Sequence, residues 1–242
     1  MPRLFIGDIP LDDLPLEGVL RAIDRFIEER TPHHVITLNS LMYLYSRDNP
    51  VLRQSLALAH LLIPDSIGIT LASKFINGVR PHRLPGIDLM LELCGYAAEK
   101  NRGIYLLGSR PEVAGRTASC LKDSHPGLRI NGCHHGYFSR EEEDAVIESV
   151  NSSNADILFV ALNVPEQEIW IHRNIKRLGV PVVMGVGGSF DVISGGIKRA
   201  PALVRRLGTE WLYRLLLQPW RLPRIMDLPR FVISILKLKY GS

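Results

Sequence analysis

The chain has few cysteines, no long apolar runs and little acidic charge toward its C-terminus, and each shortage excludes something. Cys94, Cys120 and Cys133 are odd in number and have no Cys-x-x-Cys spacing. That argues against a disulfide framework or a cysteine metal site and for reduced thiols in a cytoplasmic protein. No uninterrupted apolar stretch approaches the roughly 20 residues of a membrane span. The opening Met1-Pro2-Arg3-Leu4-Phe5-Ile6-Gly7-Asp8 meets an acid almost at once and does not read as a secretory signal. No Gly-x-Gly-x-x-Gly follows the first strand with an acidic residue about 20 positions on, which disfavours a nicotinamide-dependent oxidoreductase. His134 and His135 are adjacent and so lack the one-face spacing of a helical metal pair. No metal site is expected.

What is present is enough apolar material for a sizeable core: 242 residues, 46% hydrophobic. The net charge of +4 excludes a global polyelectrolyte role. The charge is unevenly placed, however. From residue 198 onward ten basic residues face two acids, Glu210 and Asp227, a local excess of +8 that leaves −4 for the remainder. A basic end suits an anionic partner: nucleotide phosphate, anionic lipid or nucleic acid.

Short apolar runs over 4–6, 34–39, 61–64, 103–108, 128–133, 155–162 and 182–185 alternate with segments of helical spacing over 16–27, 41–56 (interrupted at Asn49-Pro50), 69–75, 89–99, 112–121, 141–150 and 169–178. This alternation predicts an α/β fold, a mostly parallel Rossmann-like sheet flanked by helices, over residues 1–200. No strand follows. Residues 201–242 read as a helical, basic C-terminal appendage. Its last helix sets Leu228, Phe231, Val232, Ile235 and Leu238 at helical spacing, a face suited either to a membrane surface or to the protein's own core.

In an open parallel sheet, ligands sit beyond the carboxyl ends of the strands. Thr37 and Asn39 lie at one such end, Asp65 at the next, and Gln167 beside a third. The run Val182-Val183-Met184-Gly185-Val186-Gly187-Gly188-Ser189-Phe190-Asp191 is an apolar strand breaking into glycines. It suits backbone approach to a phosphate, with Asp191 as an acceptor for a sugar hydroxyl. Each feature has a plainer reading. Asn39, Asp65 and Asp88 can cap helices, Glu166-Gln167-Glu168 can be a solvated helix start, and Tyr137 can pack in the core rather than stack on a base.

Taken as an ordered set, these residues resemble a known family. Thr37-Leu38-Asn39, Pro64-Asp65, Arg83-Leu84-Pro85-Gly86-Ile87-Asp88-Leu89-Met90, Leu106-Leu107-Gly108, Gly136-Tyr137-Phe138 and Pro165-Glu166-Gln167-Glu168 belong to it. So do Gly185 to Asp191, Arg199-Ala200-Pro201, and Glu210-Trp211-Leu212-Tyr213-Arg214-Leu215 with Pro219, Arg221 and Arg224. Together they resemble the WecG/TagA/CpsF family of bacterial glycosyltransferases over essentially the whole chain. Ser66, Asn163 and Thr209 depart from the family pattern, which has Gly, Gly and Leu at those places.

The resemblance implies transfer of N-acetylmannosamine or a related sugar from a UDP-sugar donor to a sugar carried on undecaprenyl diphosphate, with inversion. The contexts it implies are wall teichoic acid and other cell-surface polysaccharides. It implies no cofactor and no metal, a peripheral place on the inner face of the cytoplasmic membrane, and no nucleic-acid partner. Oligomeric state, a homo-oligomer included, stays open. By residue, it implies Asp65 as base, Thr37, Asn39 and Gln167 orienting the sugars, and Gly187, Gly188, Asp191 and Tyr137 at the nucleotide. Arg83, Arg214, Arg221 and Arg224 are expected to meet the diphosphate. Removal of residues from about 200 onward is then expected to abolish transfer and spare the fold. The rival readings are a nucleotide-binding oxidoreductase and a non-enzymatic basic membrane-surface adaptor, which would leave Asp65, Gln167 and Asp191 without a task.

Overall fold

The computed structural model describes residues 3–201, 204, 210–217 and 222–241, with residues 210, 211, 214 and 223–225 described by backbone alone. The chain opens with β1 (Leu4–Ile6) and β2 (Ile9–Leu11), an antiparallel hairpin. Gly7 makes its turn possible at φ 66°. The sequence pattern missed β2, because Ile9-Pro10-Leu11 carries a proline that lowers strand propensity. There follow α1 (Leu16–Glu29), β3 (His33–Leu38), α2 (Ser40–Ser46), α3 (Pro50–Ala57), β4 (Leu61–Pro64), α4 (Ile67–Asn77), α5 (Gly86–Glu99) and β5 (Gly103–Gly108). Then come α6 (Pro111–Ser124), β6 (Arg129–His134), α7 (Glu143–Ser152), β7 (Ile157–Ala161), α8 (Glu166–Asn174), β8 (Val182–Gly185) and α9 (Ser189–Ile193). In the basic C-terminal stretch α10 covers Glu210–Leu217 and α11 covers Leu222–Tyr240.

The main sheet has six parallel strands in the order β4-β3-β8-β7-β5-β6. The expected α/β architecture is therefore the one observed. β3, β4, β5, β7 and β8 are buried along their whole length, as near-continuous apolar strands must be when helices cover both faces. On one face Val19, Ile23, Leu93, Leu121 and Phe190 from α1, α5, α6 and α9 pack on Val35, Leu106, Phe159 and Met184. On the other, Val146, Ile147 and Ile171 from α7 and α8 cover Leu107, Leu158 and Val183. The same face carries the hairpin, α2, α3 and α11 around Ile36, Leu38 and Leu62.

The interruption expected at Asn49-Pro50 separates α2 from α3, and Asn49 caps the second by accepting from Leu52 N at 3.0 Å. Two local expectations change. α5 starts at Gly86, so Asp88 lies inside its first turn and does not cap it. The last helix packs on the protein itself. Phe231 and Ile235 are buried in the cluster with Met42 and Tyr43, while Val232 and Leu238 face outward with Met226, Ile233, Leu236 and Tyr240. Removing residues from about 200 onward would therefore uncover Met42 and Tyr43, which weighs against the expectation that the fold is spared. Among the described residues no helix is long and apolar enough to cross a membrane.

Candidate active site

The carboxyl ends of the strands gather two groups of polar residues. The first stands at β3 and β4. Strand register brings Leu38 beside Pro64, and the Asp65 N–H donates to Leu38 O at 2.9 Å. One carboxylate oxygen of Asp65 accepts from Gly86 N at 2.8 Å, so Asp65 serves the open N-terminus of α5. The cap of the helix that follows Asp65 is Ser66, whose Oγ accepts from Ile69 N. The Arg83-to-Gly86 loop lies along this turn, held by Leu84 N donating to Pro64 O at 2.8 Å. Thr37 is buried at the same point. A Cβ built on Gly86 would stand 2.6 Å from Thr37 Oγ1, so only glycine lets this loop come so close. Thr37, Asp65 and the half-buried Arg83 thus share one end of the edge. Asn39 sits beside them, but its Oδ1 accepts from Leu41 N and Met42 N as the α2 cap.

The second group forms a cleft of about 370 Å³ beyond β5, β6, β7 and β8. Gly187, Gly188 and Asp191 make one wall, Ser109 and Arg110 another, and Tyr137 with Asn163 the rim. Gly108 (φ 130°) has the Ala161 carbonyl oxygen 2.4 Å from where a Cβ would be, so the two strand ends meet only because that side chain is missing. Tyr137 is 70% exposed, which leaves its ring free for a planar ligand. Arg110 Nη2 lies 3.7 Å from Asp191 Oδ1. In an exposed pair of this kind the mutual attraction is weak, and either group is available to a ligand.

Beneath the glycines runs a buried chain of polar side chains. Gln167 Oε1 accepts from Gly187 N at 2.9 Å, and Gln167 Nε2 donates to Glu168 Oε1 at 2.7 Å. The other oxygen of Glu168 is 2.9 Å from His34 Nε2. Gln167 and Glu168 are 2% and 0% exposed. The reading of Glu166-Gln167-Glu168 as a solvated run therefore holds for Glu166 alone. Gln167 is held by its own chain and fixes the glycine turn, while the Gly187 N–H is already committed. Gly188 is the open glycine: a Cβ there would meet no atom within 4 Å.

Nearby imidazoles respond to packing. Burial holds His172 below the ordinary histidine range, with His34 and Arg173 adding like charge. Burial does the same to His60, with His33, His34 and Arg3 acting the same way and Glu29 against them.

Sequence reading missed Arg110, Ser109 and Glu168. The available signal for the first two was the strand ending in Gly108-Ser109, which predicts that the next side chains face a ligand edge. Arg221 lies outside the described residues, as do the side chains of Arg214 and Arg224. Among the described residues no group of three or more His, Cys, Asp or Glu is disposed to hold a metal ion.

An open parallel sheet with a polar, glycine-walled cleft at its carboxyl edge defines an α/β protein of the class that binds its ligand beyond the strand ends. Residues 4–242 match the model of the glycosyl transferase WecG/TagA/CpsF family, and the chain belongs to that family. It is 36% identical over 233 residues, 96% of this chain and 90% of the relative, to the N-acetylglucosaminyldiphosphoundecaprenol N-acetyl-beta-D-mannosaminyltransferase of Bacillus subtilis (strain 168). Proteins of the same name from Bacillus spizizenii and Staphylococcus aureus (strain NCTC 8325 / PS 47) are 34% and 30% identical, covering 90% and 98% of this chain and 84% and 93% of their own lengths. The chain is thus a glycosyltransferase, and the oxidoreductase and adaptor readings are not favoured.

Proposed function

We propose that this protein transfers N-acetylmannosamine from a UDP-linked donor to N-acetylglucosamine carried on undecaprenyl diphosphate, with inversion. The observation that supports it best is the shared sheet edge. A nucleotide-sized cleft lies at β5 to β8, and a carboxylate, Asp65, stands beside Thr37 at β3 and β4 of the same edge.

In this reading the nucleotide occupies the cleft, with its base against Tyr137, its ribose at Asp191 and its phosphates near Gly188 and Arg110. The sugar then extends toward Asp65. Asp65 takes the proton of the acceptor hydroxyl as that oxygen attacks the anomeric carbon. The bond from that carbon to the UDP oxygen breaks on the opposite side, and UDP leaves with the electron pair. Arg83 and the arginines of the C-terminal stretch, Arg214, Arg221 and Arg224, neutralise the leaving diphosphate without a metal or other cofactor. Thr37 and Asn39 orient the reacting sugars, and Gln167 acts by holding the turn at Gly187. The acceptor is lipid-borne, so the outward apolar residues of α11, flanked by Arg230, Lys237 and Lys239, would rest on the cytoplasmic membrane face.

The test is transfer from a panel of UDP-HexNAc and UDP-hexose donors to a lipid-diphosphate-GlcNAc analogue, with and without EDTA, for wild type and Asp65→Ala. We expect UDP-N-acetylmannosamine to be used, EDTA to have no effect, and the substitution to lower kcat by about 10²–10⁴. Full activity in the variant would remove Asp65 from the base role. A different preferred donor would overturn the substrate.

A further inference from the structure

A second cavity, of about 530 Å³, opens where the β1–β2 turn, the C-terminal end of α2, α3 and the last turns of α11 meet. It shares no lining residue with the cleft at the sheet edge. Tyr43, Arg47, Arg53, Lys237 and Gly7 line it. Tyr43 is the telling residue. The residue is 6% exposed, and its hydroxyl reaches the cavity and makes no hydrogen bond with another described residue, so it is a donor open to a ligand. Gly7, in a left-handed conformation, leaves that hydroxyl uncovered: a Cβ there would stand 3.8 Å from Tyr43 Oη.

The charges around the hydroxyl are of one prevailing sign. Arg53 donates to Asp8 through Nε at 2.7 Å, which leaves its two terminal nitrogens for another acceptor. Arg47 and Lys237 have no ion-pair partner among the described residues. Three cations against Asp8 give +2. The C-terminal ends of α2 and α11 face the same space and offset about half a charge each. About one positive charge remains, together with a hydroxyl donor and a guanidinium fork. Burial holds the Tyr43 phenol above its ordinary range against the opposing pull of Arg47 and Arg53, with Asp8 adding to the rise, so it stays protonated as a donor.

We infer that this cavity is a binding site for a phosphate-bearing group. The phosphate oxygens accept from Tyr43 Oη and from the terminal nitrogens of Arg53, with Arg47 and Lys237 closing the charge. Leu238, 42% exposed at the same mouth, gives an apolar lip beside the polar floor. The group could come from free phosphate or from a phospholipid headgroup, and both have this chemistry.

The experiment is amide NMR on the full chain, titrated with inorganic phosphate and, separately, with dihexanoyl phosphatidylglycerol below its micelle concentration. We expect saturable shifts at Gly7, Ser46 and Lys237. The Kd fitted there should rise about tenfold in the Arg47→Gln/Lys237→Gln double variant and about threefold in Tyr43→Phe. Any shifts at Gly187 and Gly188 should follow their own curve, unchanged by these substitutions. Tighter binding of the phosphatidylglycerol would name the headgroup as the source, and equal or weaker binding would name free phosphate. Arg47 and Lys237 are surface residues, so their variants retain the wild-type spectrum elsewhere. No saturable shift at Gly7, Ser46 and Lys237 with either probe would overturn the site, as would a Kd that neither substitution moves.

Discussion

His34 Nε2 and Glu168 Oε2 stand 2.9 Å apart, both side chains buried, although 134 positions separate them in the chain. The second oxygen of Glu168 holds Gln167, and Gln167 holds the Gly187 N–H. Glu168 needs two acceptor oxygens here. Glu168→Gln replaces one with an NH₂ group, so either a buried donor faces Gln167 Nε2 or the His34 ring must shift to the tautomer that accepts at Nε2. The expected cost is about 1–3 kcal/mol of stability, read as a lower urea midpoint at unchanged slope. The donor KM should also rise as the glycine turn loses its support. An unchanged KM would separate this network from the cleft.

Arg110 is exposed at the cleft wall and caps no helix through its side chain. Its replacement by Gln should leave stability within about 0.5 kcal/mol of wild type. The KM for the nucleotide-sugar should rise about tenfold, the value of one charged contact to phosphate, with little change in kcat. Thermal unfolding together with initial-rate kinetics checks both halves, and an unaltered KM would place the phosphates elsewhere.

His60 is an exposed residue whose ring is edge-on to Phe26 and His33, and partial desolvation together with the neighbouring His33, His34 and Arg3 holds its pKa below the ordinary value; burial does the same for His172. As the pH falls below about 6.5, the unfolded chain takes up protons at these positions that the folded chain refuses. Stability therefore drops from that point until the depressed folded values are reached, and it is fully present above neutrality. Tm should be lower at mildly acidic pH than at slightly alkaline pH. His60→Gln should flatten this slope. An identical slope in the variant would assign it to other groups.

Truncation after residue 200 removes Phe231 and Ile235 from the cluster with Met42 and Tyr43. Losing two buried side chains of this size costs about 3–6 kcal/mol, against a typical total of about 5–15. The truncated chain should bind more of an apolar dye and unfold at a clearly lower temperature than wild type. An unaltered Tm would mean that α11 adds nothing to the core.

Much of this fold was legible because parallel strands covered on both faces are apolar along their whole length and stop at polar or glycine residues. Leu61-Leu62-Ile63-Pro64-Asp65 and Val182-Val183-Met184-Gly185 both show it. Helix caps were less legible, since several neighbouring residues have the right chemistry. Ser66 rather than Asp65 caps α4, and Asp65 serves α5 instead. Buried polar chemistry was the least legible. Glu166 and Glu168 look alike in sequence, yet one is exposed and the other fully enclosed, because only the second faces His34. No local pattern encodes which strand lies beside which.

That strand order has a consequence for how the chain is made. Among the described residues β8 is the last strand in the chain, yet it lies in the middle of the sheet, between β3 and β7. A nascent chain that ends before residue 182 has an empty slot there, bordered by two apolar strands with unpaired backbone groups. Such edges invite pairing with other chains, and they stay open until β8 emerges. The glycine turn of the cleft follows β8 directly, so the cleft is completed only when the sheet closes.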